Sequence, residues 1–240
     1  MAGPKDHGRD RTPGRRRASH SMEAVLSEAV ALLDEAGEQA LTFRALAQRL
    51  GGGVGSIYWY VASKDELLDR ATDHALVAVL DATEPFAQDD AAGDPIDSIR
   101  ATAWVLFDAI VDRPWLTAYF MRDTDIQPNA LRMYERIGEQ VMRLGLTARQ
   151  TFHAVSAILG FVIGIASDLS QQPPAVVADG TVGPDEYMAA FAERWRQTDP
   201  QEFPFVHHIV DEFAHHDDTD QFRAGLDLLL DGLRLQAQGG

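Results

Sequence analysis

No cysteine occurs among the 240 residues, which excludes disulfides, thiolate metal ligands and a cysteine nucleophile. Long apolar runs are equally scarce. The most apolar stretch, AVSAILGFVIGIA at Ala154–Ala166, falls short of the roughly 20 residues that a bilayer-spanning helix needs. The opening MAGPKDHGRDRTPGRRRASHS lacks the apolar segment of a secretory signal. The expected location is therefore the cytoplasm, with no membrane association. Basic residues are the minority charge, 21 Lys and Arg against 37 Asp and Glu, for a formal net charge of −16. The sum argues against a nucleic-acid partner, but its distribution does not. Residues 1–17 hold Lys5, Arg9, Arg11, Arg15, Arg16 and Arg17 against Asp6 and Asp10, a net of +4 that leaves −20 on the remainder. A basic tip on an acidic body can bind DNA through the tip while the body repels DNA elsewhere. Sustained period-two alternation is missing too, so no sheet is expected and the chain reads as all-α.

What is present is helical periodicity from residue 19 onward. Residues 1–18, rich in Gly, Pro and Arg without periodicity, are expected to form a disordered basic arm. Leu26, Ala29/Val30 and Leu33 mark a first helix ending near Gly37. Thr42 is placed to cap a second, whose buried face is Phe43, Leu46, Ala47 and Leu50. Ser63, with Glu66 three residues on, reads as a capping box opening another helix, and Asp65 favours its first turn. A loop is expected over about 81–95. Further helices are predicted near 96–112, 114–122, 128–144, 148–170, 185–198, 203–216 and 220–236. Pro114, Pro128, Pro173, Pro174, Pro184 and Pro204 punctuate them. The expected division is 1–18 as arm, 19–80 as a small N-terminal domain of three helices bounded by a fourth, and 81–240 as a larger helical domain.

Residues 41–68, LTFRALAQRLGGGVGSIYWYVASKDELL, carry the motif. Two short helical segments flank three glycines, and the second, of about two turns, ends in Tyr58, Trp59 and Tyr60. So short a segment cannot bury three adjacent rings on one face. The arrangement reads as a helix-turn-helix in which Leu46, Leu50 and Ile57 lock the pair. Gly51–Gly53 turn the chain, and Gly55 and Ser56 leave room for close approach to a duplex. The rings then have a use: a tyrosine hydroxyl bonds a phosphate, and a ring packs on a thymine methyl. Lys64 adds a cation beside the backbone N–H groups of the next helix start.

These residues resemble the DNA-binding domain of the tetracycline-repressor (TetR) family. The likeness covers residues 20–75 and is carried by LT, R and LAQRLG within 41–51, SIYWYV at 56–61 and SKDELLD at 63–69. It implies that Thr42 and Arg44 lie near DNA, that Val54, Gly55, Ser56, Tyr58, Trp59 and Tyr60 contact it, and that Lys64 meets a phosphate. FRAGLDLLLDGL at Phe222–Leu233 resembles the last helix of the subgroup containing the tetracycline repressor itself. The chain departs from the family where Gly52 and Gly53 replace an apolar residue and a polar cap. A weakly capped recognition helix, mobile without DNA, is expected there. Val54 and Gly55 stand where the tetracycline repressor has Gln-Pro, and Tyr60 replaces a common His, so base readout must differ. For Arg15, Arg16 and Arg17 the readings are minor-groove or phosphate contact, or a solubilising tail.

The helix around Ala154–Ala166 is apolar nearly all round, more than one domain's core can cover. With the stripe at Leu226, Leu229, Leu230 and Leu233, the residues Ala157, Gly160, Phe161 and Gly164 form the expected homodimer surface; the resemblance implies a four-helix bundle there. The resemblance also implies a small-molecule effector pocket among the middle helices. Trp104, Phe107, Asp108, Trp115, Tyr119, Phe152 and His153 are the candidates, with a core role for the aromatics as the alternative. HHIVDEFAHHDD at His207–Asp218 puts His207, Asp211 and His215, then His208, Glu212 and His216, at helical i, i+4, i+8 spacing. That permits chelation, but a solvated His/acid helix is the plainer reading, and neither a metal nor a cofactor is assigned. No acid–base or nucleophile constellation can be assembled. The reading is a repressor released from a palindromic operator by an effector. Its rival is a helical enzyme or metal-binding protein using His207–His216.

Overall fold

The computed structural model of the chain describes residues 20–87, 93–120 and 127–239. The described residues form helices and no strand. Two compact units divide them, Met1–Leu68 and Asp69–Gly240. The arm expected at 1–18 lies outside the described residues.

The first unit contains α1 (Met22–Ala40), α2 (Phe43–Arg49), α3 (Val54–Ile57) and the start of α4 (Lys64–Ala87). Ser21 caps α1, its hydroxyl accepting from the Ala24 N–H at 3.1 Å, and Thr42 caps α2 by accepting from the Ala45 N–H at 3.1 Å. Gly37 leaves helical geometry at φ 70°, ψ −175°, where the sequence predicts the helix to end, and hydrogen bonding then carries α1 on to Ala40. Val25, Ala29, Leu33, Leu41, Leu46, Ile57, Val61 and Leu67 build the core. Each large apolar side chain among them contributes about 1.5–3 kcal/mol by leaving water. Leu50 is only half-buried, so the lock between α2 and α3 rests on Leu46 and Ile57. Arg49 ties α2 to α1 through Glu35, with Glu28 at 3.7 Å.

The second unit contains the rest of α4, then α5 (Pro95–Asp112), α6 (Trp115–Phe120), α7 (Pro128–Met142), α8 (Ala148–Leu169), α9 (Ala175–Ala178), α10 (Pro184–Arg196), α11 (Pro204–His215) and α12 (Asp218–Gln238). α5 is central: Ile96, Ile99, Ala103, Leu106, Phe107 and Ile110 are buried, and it packs on α7, α8 and α12. Arg100 fixes α5 to α12 by donating to Asp227 at 2.9 Å. α8 and α12 approach closely because Gly225 has no side chain. A Cβ there would stand 2.5 Å from the Phe161 ring, inside van der Waals contact. α7 has no cap of its own, since Gln127 makes no side-chain bond to it. The buried carboxylate of Asp73 on α4 supplies the cap, accepting from the Asn129 N–H at 3.0 Å and the Ala130 N–H at 3.1 Å. α10 and α11 pair through aromatic rings, with Trp195 stacked on Phe213 at 4.2 Å between centroids.

Three expectations need correcting. The loop predicted over 81–95 starts later, because α4 continues through Pro85 to Ala87; the missing proline N–H costs only one bond near the helix end. The short α9 stands where Pro173 and Pro174 read only as a break. The segment predicted at about two turns is a single turn, Val54–Ile57. Beyond it the chain tightens to i→i+3 bonds, Trp59 N–H to Ser56 C=O and Tyr60 N–H to Ile57 C=O.

Candidate nucleic-acid interface

Gly51, at φ 67°, turns the chain out of α2 in the left-handed region that a side chain disfavours. Its neighbour Gly52 closes the end of α2 by donating to Ala47 C=O at 2.9 Å. Gly53 precedes α3 and offers no side-chain cap. The Ser56 hydroxyl instead donates to the Gly53 carbonyl at 2.6 Å. α3 buries only Ile57, while Val54 and Gly55 face solvent.

The three consecutive rings diverge. Trp59 is 89% exposed and Tyr58 60%, the latter braced edge-on against Phe43 at 4.8 Å. Tyr60 is half-buried, and its hydroxyl donates to the backbone carbonyl of His20. Thr42 and Arg44, at the start of α2, are exposed. Lys64 extends to the first unit's own backbone, its Nζ donating to Glu38 C=O at 2.9 Å. Ser63 accepts from the Glu66 N–H at 3.0 Å, and Glu66 reaches back to the Ala62 N–H at 2.6 Å, one residue earlier than a capping box places it. Thr42, Arg44, Val54, Gly55, Ser56, Tyr58 and Trp59 thus belong to the α2–turn–α3 motif with solvent access, whereas Tyr60 and Lys64 have partners within the unit. Arg15, Arg16 and Arg17 lie outside the described residues.

The residues expected to line an effector pocket are not brought together. Trp104 and Phe107 join Phe222 and Phe161 in a core stack, Phe107 lying 3.8 Å from Phe222 between centroids. Tyr119 is buried, and burial, with the negative charges of Asp73 and Asp69, pushes its phenol up to about 12. Trp115 is half-buried and Asp108 exposed. Partial burial, then the nearby Asp112, raises the Asp108 carboxyl above its ordinary value. Phe152 and His153 sit on the open face of α8. A groove of about 530 Å³ lies between α4 and α7, lined by Leu80, Asp81, Glu84, Arg132, Glu135 and Arg136 among others. A second, of about 340 Å³, runs between α8 and α12 and takes in His153, Ala157, Leu229 and Leu233. Sequence reasoning missed the first groove because its walls are ordinary exposed helix faces, made concave only by packing.

Of the residues expected at a dimer surface, Ala157, Gly160 and Gly164 are exposed and Leu229 half-buried. Leu226, Leu230 and Leu233 are buried within the chain, and Phe161 packs on α12. Sequence reasoning missed Leu228 and Leu235, 76% and 69% exposed on α12. α8 is longer than the apolar run seen in sequence and, by length and composition alone, could cross a membrane. It carries the pattern of a core helix with one uncovered face: Val155, Ile158, Val162 and Ala166 are buried.

The histidine-rich α11 does not form a chelate. His207 Nε2 is 2.9 Å from the Thr198 carbonyl, and His215 Nδ1 is 2.9 Å from that of Asp211. The Asp211 carboxylate takes Arg196 at 2.6 Å. Among the described residues no group of three or more His, Asp or Glu could hold a metal ion.

An all-helical chain with a helix-turn-helix presenting exposed rings defines a class, the helix-turn-helix regulators. Residues 25–71 match the bacterial regulatory proteins of the tetR family, and residues 87–237 match the tetracyclin repressor-like C-terminal domain. The chain belongs to the TetR family. A TetR transcriptional regulator of Streptomyces coelicolor, SCO7222, is 35% identical over 90% of this chain and 98% of that one, with a TM-score of 0.75. An HTH-type transcriptional repressor of Mycobacterium tuberculosis is 31% identical over 161 residues, 64% of this chain. The match spans 60% of that relative's length. The S. coelicolor TetR family protein ActR, in complex with actinorhodin, shares the fold at 22% identity and a TM-score of 0.76, covering 90% of this chain and 96% of that one.

Proposed function

We propose that the chain is a homodimeric, cytoplasmic transcriptional repressor that binds a palindromic operator in duplex DNA and leaves it when a small molecule binds the second unit. The observation that carries this reading is the outward pair Tyr58 and Trp59. A buried framework of Leu46, Ile57 and Val61 holds a nearly bare tryptophan in place at the end of a one-turn helix. A folded domain gains nothing from that exposure unless a partner covers it. Ser56 and Trp59 face base edges, Tyr58 meets a phosphate, and Thr42 and Arg44 flank them. The relatives named as regulators support the same reading, and no constellation on α11 favours an enzyme.

Two copies read the operator through the open faces of α8 and α12, where Phe152, Leu228 and Leu235 await a second chain. Two recognition segments then enter successive major grooves roughly 34–36 Å apart. The effector acts by preferring a dimer whose recognition segments no longer match that spacing. For a typical coupling of about 1–3 kcal/mol, operator affinity falls roughly 5- to 150-fold, and ligand affinity falls by the same factor when operator is bound.

The test is selection of bound sequences from random duplex DNA, followed by a release screen with small molecules. Enrichment of a two-fold symmetric site is the expected result. A chain that enriches no sequence at low salt is not a sequence-specific regulator.

A further inference from the structure

The groove between α4 and α7 is walled by two helical stripes. On α4, Val77, Asp81 and Glu84 stand at i, i+4 and i+7, with Leu80 beside them; on α7, Arg132, Glu135 and Glu139 stand at i, i+3 and i+7. Its volume of about 530 Å³ falls within the roughly 300–1,000 Å³ of small-molecule sites. Two ties between the helices border it. In one, Asp73 holds Asn129, itself part of the groove wall, by accepting from its N–H at 3.0 Å and from its side-chain amide. In the other, Arg136 donates to the Leu80 carbonyl and to the Thr83 hydroxyl and pairs with Glu84.

The charge on these walls is unbalanced, four carboxylates against two guanidinium groups. Both guanidinium groups are engaged within the chain, Arg136 as above and Arg132 by donating to the Asn129 side-chain oxygen at 2.7 Å. Glu84 is answered by Arg136. Asp81, Glu135 and Glu139 are exposed and have no cation paired with them among the described residues. Val77, 38% exposed, adds apolar surface to the wall.

Such a lining repels an anion, and a wholly apolar ligand would strip water from the carboxylates without replacing it. A metal ion needs several oxygens within about 2.6 Å of one point, and no group of three or more His, Asp or Glu among the described residues could hold one. Glu135 and Glu139 are instead spread along α7, about 6 Å apart in axial rise. Carboxylates strung along a trough suit separate cationic centres joined by methylenes.

We propose that the effector is an organic cation of the diamine or polyamine class, held in the α4–α7 groove by Asp81, Glu135 and Glu139. Its methylenes cover Val77. An ammonium that competes with Arg136 for Glu84 loosens the second tie, and it does so on α4, the helix that begins in the first unit. This deepens, and rests on, the repressor reading above.

The experiment titrates spermidine calorimetrically into the full chain without DNA, with hexanoate as the reversed charge. Two variants accompany the parent. The groove variant combines Asp81→Asn, Glu135→Gln and Glu139→Gln. The control removes the same charge elsewhere, by Asp185→Asn, Glu186→Gln and Glu202→Gln. Spermidine should bind the parent and the control alike, and the groove variant roughly tenfold more weakly, since three partly screened ion pairs are lost together. Singly, Glu135→Gln and Glu139→Gln should each lose part of that factor, which serves if the triple variant fails to fold. Hexanoate should not bind. On the duplex selected from random sequence, spermidine should release the parent more readily than the groove variant. The duplex is common to both, so the attraction of spermidine for DNA cancels. Equal spermidine affinity in all three proteins overturns the proposal, because the cation would then be held by an acidic chain at large. An equal loss in both variants, an absence of spermidine binding, or binding of hexanoate overturns it as well. So does groove binding that leaves operator affinity unchanged. If the full chain enriches no duplex, the repressor reading fails, while spermidine binding still decides whether the groove is a cation site.

Discussion

α3 has four residues and buries one; α8 has 22 and buries four, and both leave large side chains in water. The surfaces they leave differ in kind. Around α3 the exposed groups are amphipathic, Tyr58 and Trp59 beside a serine and glycines, suited to a partner that is part charge and part stacked ring. Around α8 the exposed groups are mostly aliphatic or small, with Phe152 and His153 near its start, Ala157, Gly160 and Gly164 further along it, and Leu228 and Leu235 on α12. Such a face suits another copy of itself, because small residues let helices approach closely. Exposure alone does not name a partner; the chemistry of what is exposed does.

The α8–α12 face offers the most severe test. Leu228→Asp with Leu235→Asp alters two side chains that the single chain leaves exposed, so folding should persist while charge enters the face proposed to pair. Sedimentation should show monomers, with operator affinity reduced at least roughly a hundredfold, since each half-site then binds alone. An undiminished dimer would place the subunit interface elsewhere.

Next in size is the stack that supports that face. Phe222→Ala should cost about 3–5 kcal/mol in denaturant unfolding, because Trp104, Phe107 and Phe161 each lose a packed ring and a cavity is left between them. By contrast, Trp59→Ala should leave stability within about 0.5 kcal/mol of the parent while altering which sequences are enriched. A large drop in stability there would show the ring to be structural after all.

Lys64→Ala should have a smaller effect. The hydrogen bond to Glu38 C=O is worth about 1 kcal/mol of stability, and a lysine also meeting a phosphate would flatten the salt slope by about one unit. An unchanged slope would confine Lys64 to its role within the unit.

The mildest effect concerns alkaline pH. The folded state holds the Tyr119 proton up to about 12, above the ordinary phenol value of 10.0. Between those values the unfolded chain releases a proton that the folded chain keeps, so stability falls as pH rises. Tyr119→Phe should remove that part of the slope in pH-dependent unfolding, and an unaltered slope would assign it to other groups.

Local chemistry made much of the architecture legible. Thr42 announces α2, and Pro128, Pro184 and Pro204 open α7, α10 and α11, because caps and proline act within a few residues of themselves. The recognition motif was legible for the same reason. What stayed hidden are bonds between residues distant in sequence. Nothing in YWY says that Tyr60 turns toward His20 while its neighbours face out. Gly225 looks like a weak point in a helix until Phe161 is seen against it. The aromatic residues between Trp104 and Phe152 read equally as a pocket lining or a core, and only packing divides them: Phe107 stacks inside while Phe152 stands on a surface.

Asp73 makes the start of α7 conditional on the rotation of α4. Successive residues of a helix differ by about 100° in direction, so turning α4 by a single residue would carry the carboxylate off Asn129 and Ala130 and strand their N–H groups in a buried site. The two helices are thus keyed as a toothed shaft is keyed to its collar: small tilts pass between them, but slippage does not. α7 reports the rotational setting of α4 in whole notches, and a segment that begins with a borrowed cap has no second setting at which to begin.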